Sequence, residues 1–165
     1  YVLTVANDSQ TTATGQLIQE MAKEFGVEVE LKPVPQSELI DLAIAGDFEA
    51  VSFRLYPGGE PDDNYIFWTN GSPVNFGRIQ DDTLTGLMEQ GRVSSDEAER
   101  TQIYEDVNRR FASEAYNIWQ WWTTWDIGTA PNVYGVLGPD LPDGGGKPFQ
   151  GLAGGHPVTS MWIDQ

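Results

Sequence analysis

The residues best suited by type and position to capture a ligand are Arg54, Tyr56 and a cluster of tryptophans. Arg54 ends an otherwise apolar run, Ala50 to Leu55, which then breaks on Tyr56-Pro57-Gly58-Gly59. A guanidinium presents a planar fork of donors that fits an anion. The plainer reading of such a residue is a cation that snorkels to an edge or pairs with a neighbouring acid. Of the six tryptophans, Trp119, Trp121, Trp122 and Trp125 lie in one short stretch. Rings of this size line ligand pockets and stack on sugars, and they serve equally as core at a sheet–helix interface.

Other chemistry finds little support. The chain has no cysteine, which removes disulfides, thiolate metal sites and a thiol nucleophile. His156, the single histidine, lies in a Gly-Gly-His-Pro context with no serine arranged to make a triad. Asp62-Asp63 and Asp81-Asp82 are carboxylate pairs, but they lack the calcium-loop pattern with its distal glutamate. Loop solvation accounts for the first pair and helix capping for the second. Gly144-Gly145-Gly146-Lys147 is followed by Pro148 where a phosphate loop needs Ser or Thr. Neither a cofactor nor a metal is called for.

The elements that must position these groups follow from periodicity. Val2 to Ala6 reads as a strand, and Asn7-Asp8-Ser9-Gln10 as its turn and the cap of the next helix. Leu17, Ile18, Met21, Ala22 and Phe25 recur at helical spacing, with Gly26 as the stop. Val27, Val29 and Leu31 alternate with charged residues, predicting a strand ended by Pro33 and Pro35. Leu39, Ile40, Ala43 and Ile44 mark a second helix closed by Gly46, and Ala50 to Leu55 a third strand. The expected class is α/β, an open mixed sheet begun by a parallel βαβαβ unit with helices packed on it. Ligands in such sheets sit outside the carboxyl ends of the strands, here Asn7 to Gln10, Val34 to Gln36 and Tyr56 to Gly59.

Beyond the third strand, 58–78 reads as a loop holding one helical turn at Tyr65-Ile66-Phe67-Trp68. Asp81 or Asp82 caps a helix over Thr83 to Gln90 that stops at Gly91. Ser94, with Glu97 three residues on, has the capping-box form for a helix bearing Ile103, Tyr104, Val107, Phe111 and Ala115 and reaching about Glu114. Asn117 to Trp125 reads as an aromatic strand, and Pro131 to Gln165, dense in glycine and proline, as irregular.

With 165 residues, one domain is expected. Nine basic residues against 25 acidic ones give a formal charge of −16, which repels phosphate backbones and anionic lipid, so nucleic acid is not an expected partner. The chain starts at Tyr1 inside a strand, without initiator methionine or signal segment, and is read as a processed or excised piece.

Taken together, GVEVELKPVPQSELIDLAIAGDFEAVSF, the Pro61-Asp62-Asp63 loop, Asn75, the stretch from Ile79 to Trp122 and Asn132-Val133-Tyr134-Gly135-Val136 resemble the C-terminal lobe of bacterial extracellular solute-binding proteins of family 5, the peptide/nickel class. The resemblance spans about 1–136 and leaves 137–165 as an irregular tail returning toward a missing lobe. It implies one lobe of a two-lobed, periplasmic-binding-protein-like receptor. Such a receptor is exported, often lipid-anchored, not an enzyme, and delivers a small ligand to an ABC importer. Implied partners are the N-terminal lobe, the importer's membrane subunits and a peptide or oligosaccharide. Implied ligand residues are Arg54, Tyr56, Gly58, Asn75, Trp119, Trp121 and Trp122. Peptide-binding relatives carry an aspartate for the peptide's α-ammonium where this chain has Gly58 or Gly59, so a sugar, a modified peptide or an acidic ligand is implied as well. Two other readings stand beside this one. The first is an acidic hydrolase, which needs two carboxyls roughly 5–9.5 Å apart across a cleft. The second is an interaction domain whose tryptophans are simply core.

Overall fold

The computed structural model describes residues 1–55, 60–120, 128–142, 144, 146 and 158–164. It begins β1 (Val2–Ala6), α1 (Ser9–Glu24), β2 (Glu30–Val34), α2 (Gln36–Ala45), β3 (Ala50–Val51). Both neighbours of β1 run parallel to it, giving the order β2-β1-β3 and the expected βαβαβ unit. Leu3 and Val5 pack under Ile18 and Ala22 of α1, while Ala6 and Val34 pack with Leu39 and Leu42 of α2. The pleat of β1 therefore sends alternate side chains to two helices on opposite faces of the sheet.

The second strand runs later than its alternation predicts and passes through Pro33, which pairs with Val5. The ladder to β1 uses the amide of Glu30 and the carbonyl of Val34, so residues of that parity face β1 and Pro33 faces the outer edge, which pairs with no strand among the described residues. An edge position has no need of the missing N–H. The third strand is shorter than expected, two residues, although Ser52 N still donates to Thr4 O at 2.9 Å. In α1 the buried positions are Thr11 and Gly15, whereas Leu17, Met21 and Phe25, expected inward, are exposed. Gly46 closes α2 in the left-handed conformation, φ 73°.

A one-turn 3-10 segment (Pro61–Asn64) and α3 (Tyr65–Trp68) then lead to α4 (Asp82–Val93) and α5 (Glu97–Glu114). Asp81 is the N-cap of α4, as its type predicts. The helix does not stop at Gly91. That residue is buried beneath the Tyr104 ring, where a side-chain carbon would stand 2.7 Å from Tyr104 Cζ, and it lets α4 and α5 approach closely. Asp96, not Ser94, caps α5, accepting from Glu99 N at 2.8 Å, and Ser94 Oγ donates to the Glu99 carboxylate instead. Ile79, Leu84, Met88, Val107 and Phe111 form the core of this half. Full burial of a side chain such as Leu84 or Met88 contributes about 1.5–3 kcal/mol.

The chain divides into two compact units, Tyr1–Pro57 with Pro61–Asn117, and Gly58–Glu60 with Ile118–Gln165. In the second unit, Asn117's successors to Gln120 are not in a strand, and 121–127 lie outside the described residues. The unit is not wholly irregular: β4 (Val133–Tyr134) pairs antiparallel with β5 (Trp162–Ile163), and the Tyr134 and Trp162 rings stack at 4.4 Å.

Candidate ligand-binding edge

The order β2-β1-β3 makes the gap between β1 and β3 the point where the two connections diverge, and that is where open parallel sheets take ligands. Two side chains meet there. Asp8, just past β1, turns its carboxylate back onto the first turn of α1: Oδ1 accepts from Thr11 N at 2.9 Å and Oδ2 from Thr11 Oγ1 at 2.7 Å. Arg54, just past β3, donates from Nη2 to the same Oδ2 at 3.0 Å. The Thr11 hydroxyl and amide, with a smaller contribution from the charge of Arg54, hold the Asp8 carboxyl below the usual carboxylate range. Both members are partly open to solvent, with side-chain exposures of 45% and 38%.

Arg54 is thus at the carboxyl edge as expected, already paired with an acid that the sequence suggested only as part of a capping cluster. The partners lie 46 residues apart, so the pairing has no local signal. Asn75 is buried. Its Nδ2 donates to Thr69 O and Ile79 O and its Oδ1 accepts from Ile79 N, which commits the amide to shaping the 69–79 loop. Trp119 is exposed in the second unit. Tyr56, Gly58, Trp121 and Trp122 lie outside the described residues, as does His156.

The carboxylate pairs have structural work. Asp62 pairs with Arg92 Nε at 3.1 Å, and the Arg92 guanidinium lies 4.1 Å from the centroid of the Tyr65 ring. Asp82 accepts from Asn70 Nδ2 at 2.7 Å. Asp81 caps α4 through Thr83 N and Leu84 N and also accepts from Arg110 Nε at 2.7 Å and Tyr116 OH at 2.8 Å. Burial pushes the Asp81 pKa up, but the hydrogen bonds from Arg110, Tyr116 and the Leu84 amide outweigh it and bring the pKa to about 2. A general acid of a glycosidase needs a raised pKa, the opposite shift. Among the described residues no cluster of three metal-ligating side chains occurs.

No family model and no curated protein matches the chain. Solved structures do. The ABC transporter substrate-binding protein CtaP from Listeria monocytogenes is 24% identical with a TM-score of 0.64, over 70% of this chain and 24% of that one. The murein tripeptide binding protein MppA of Escherichia coli gives 17% identity and a TM-score of 0.65, over 70% and 23%. This is the substrate-binding-protein fold. A third structure with it is the oligopeptide-binding protein AppA from Bacillus subtilis in complex with a nonapeptide, at 19% identity and a TM-score of 0.59, over 70% and 24%. The chain therefore spans about a quarter of the length of the substrate-binding proteins it matches. In this chain the fold brings Asp8 and Arg54 together at the β1/β3 divergence.

Proposed function

We propose that the chain is one ligand-binding lobe, the C-terminal one, of an extracellular or periplasmic solute receptor that delivers a small ligand to an ABC importer. The observation that carries this reading is a substrate-binding-protein fold over 70% of the chain, with a charged pair at the edge where such sheets take ligands. The reading is not enzymatic: the solved structures that share the fold are transport substrate-binding proteins, and a carboxyl with a pKa of about 2, as at Asp81, suits a helix cap rather than a proton donor. Arg54 is the proposed ligand donor of the first unit; Tyr56, Gly58, Trp119, Trp121 and Trp122 are proposed as ligand residues on their types and sequence positions alone. Asn75 acts by fixing the 69–79 loop. Peptides and oligosaccharides are the proposed ligand classes; the second lobe and the importer's membrane subunits are the proposed partners.

The test is native mass spectrometry of the full-length protein as purified, followed by tryptophan fluorescence during titration with peptide and oligosaccharide libraries. A receptor carries a co-purified small molecule or changes its fluorescence on addition of one, without turnover. A full-length protein that does neither, or that converts the added compound, refutes the reading.

A further inference from the structure

We propose that Asp8 sets the charge preference of the sheet's carboxyl edge, so that Arg54 holds an uncharged oxygen of the ligand, a peptide carbonyl or a saccharide hydroxyl, in preference to an anion. The proposal rests on the reading of this edge as the ligand site and names what the site takes.

Asp8 is a fixed acid. Both carboxylate oxygens are held by Thr11, one by its amide at 2.9 Å and one by its hydroxyl at 2.7 Å, so the charge belongs to the first turn of α1 and cannot swing away. Arg54 Nη2 meets that carboxylate at 3.0 Å. A full negative charge in contact cancels most of the attraction that the guanidinium exerts on a second anion a few ångströms further out. Among the described residues Arg54 bonds Asp8 through Nη2, which leaves the other N–H groups of the fork, pointing in directions one oxygen cannot serve, for a ligand. The result is a group rich in donors and compensated in charge. A ligand carboxylate placed on it would gain hydrogen bonds but meet repulsion from Asp8, reinforced by a chain carrying −16. A neutral carbonyl or hydroxyl gains the same bonds without the repulsion.

The sequence leaves Arg54 open between an anion clamp and a cation paired with a neighbouring acid, and the Asp8 contact is the second of these. The Asp8–Arg54 contact bridges the ends of adjacent strands β1 and β3, so any ligand reaching the divergence meets the pair as a unit.

The full-length protein is titrated calorimetrically with four probes: N-acetyl-tetraalanine as free acid and as amide, and a neutral glucose trisaccharide and its terminal aldonic acid. Within the series that binds, the neutral form is expected to bind about tenfold or more tightly than its carboxylate form. Asp8→Asn retains the cap, since Asn serves there as well as Asp, and is expected to shift that ratio at least tenfold toward the carboxylate. Asp8→Ser, a second cap-competent variant, is expected to do the same, and thermal melts verify that both fold. Arg54→Gln is expected to weaken the neutral form. A wild type that prefers the carboxylate, or a ratio unmoved in both Asp8 variants, overturns the proposal. So does failure of all four probes. If the purified protein then still carries another small molecule, the receptor reading stands and only this proposal falls; if it never carries or binds one, both fall.

Discussion

Replacing Asp81 by alanine removes three things at once: the cap of α4, an ion pair with Arg110 and the acceptor for Tyr116. Loss of a cap costs about 1 kcal/mol. The hydrogen bonds from Arg110, Tyr116 and the Leu84 amide bring the pKa of the carboxyl to about 2, against an ordinary value of 3.8. At 1.36 kcal/mol per pKa unit that is an upper figure of roughly 2.5 kcal/mol. The Arg110 side chain is 34% exposed, so water and salt reduce it to about 1–2 kcal/mol. Asp81→Ala should therefore cost about 2–3 kcal/mol in urea unfolding at pH 7. Asp81→Asn, which keeps the cap, should cost about 1–2 kcal/mol. The folded pKa lies below the unfolded one, so the contribution is fully present above about pH 4 and lost as pH falls toward about 2. Asp81→Asn should lack that part of the acid transition. A double-mutant cycle with Arg110→Met isolates the coupling. An Asp81→Ala cost under about 1 kcal/mol, or a coupling near zero, would refute the assignment of Asp81 as the tie between α4 and α5.

Gly46→Ala should cost about 1–2 kcal/mol in the same assay, because φ is 73° and a side-chain carbon there would push the Arg78 guanidinium off the Ile44 carbonyl. Asn75→Ala should cost about 2–3 kcal/mol by leaving Ile79 N and O without their partner and taking one of two donors from Thr69 O, and a change in ligand affinity without this loss of stability would contradict its placement in the loop. Pro33→Val should leave the fold intact, by circular dichroism, but give concentration-dependent association by light scattering, since it restores an N–H on an open sheet edge. A strictly monodisperse Pro33→Val would show that the edge is protected by something other than proline.

Much of this arrangement is written in local rules. The β1 strand, the end of α2 at Gly46 and the Asp81 cap follow from residue type and spacing within a few positions. Periodicity found α1 and part of its inner face, since Ile18 and Ala22 pack on the sheet. Leu17, Met21 and Phe25 share an exposed flank instead, and the contact face continues through Gly15, where an added carbon would sit 2.5 Å from Leu31 Cδ1. In sequence Pro33 reads as a strand end, because strand order, which makes it an edge residue, is a property of the assembled sheet. The candidate site was half legible: Arg54 stood out as a charge ending an apolar run, while its counterpart Asp8 gave only the signal of a cap.

The buried clusters of the first unit divide cleanly along the chain. Those of the sheet draw on residues before 54, and the α4–α5 cluster draws on residues after 64. Side-chain links across this divide include the Arg78 bond to the Ile44 carbonyl and the edge-on contact of Phe53 with Phe76, both near the surface of their halves. Such a division makes two cooperative blocks that open with separate free energies. Amide hydrogens of β1 and of α4 should then exchange with deuterium at two distinct levels of protection. A ligand gripping the β1/β3 edge should slow the exchange of the first block and leave the second almost unchanged, so that the helical pair acts as a passive strut while the sheet records occupancy.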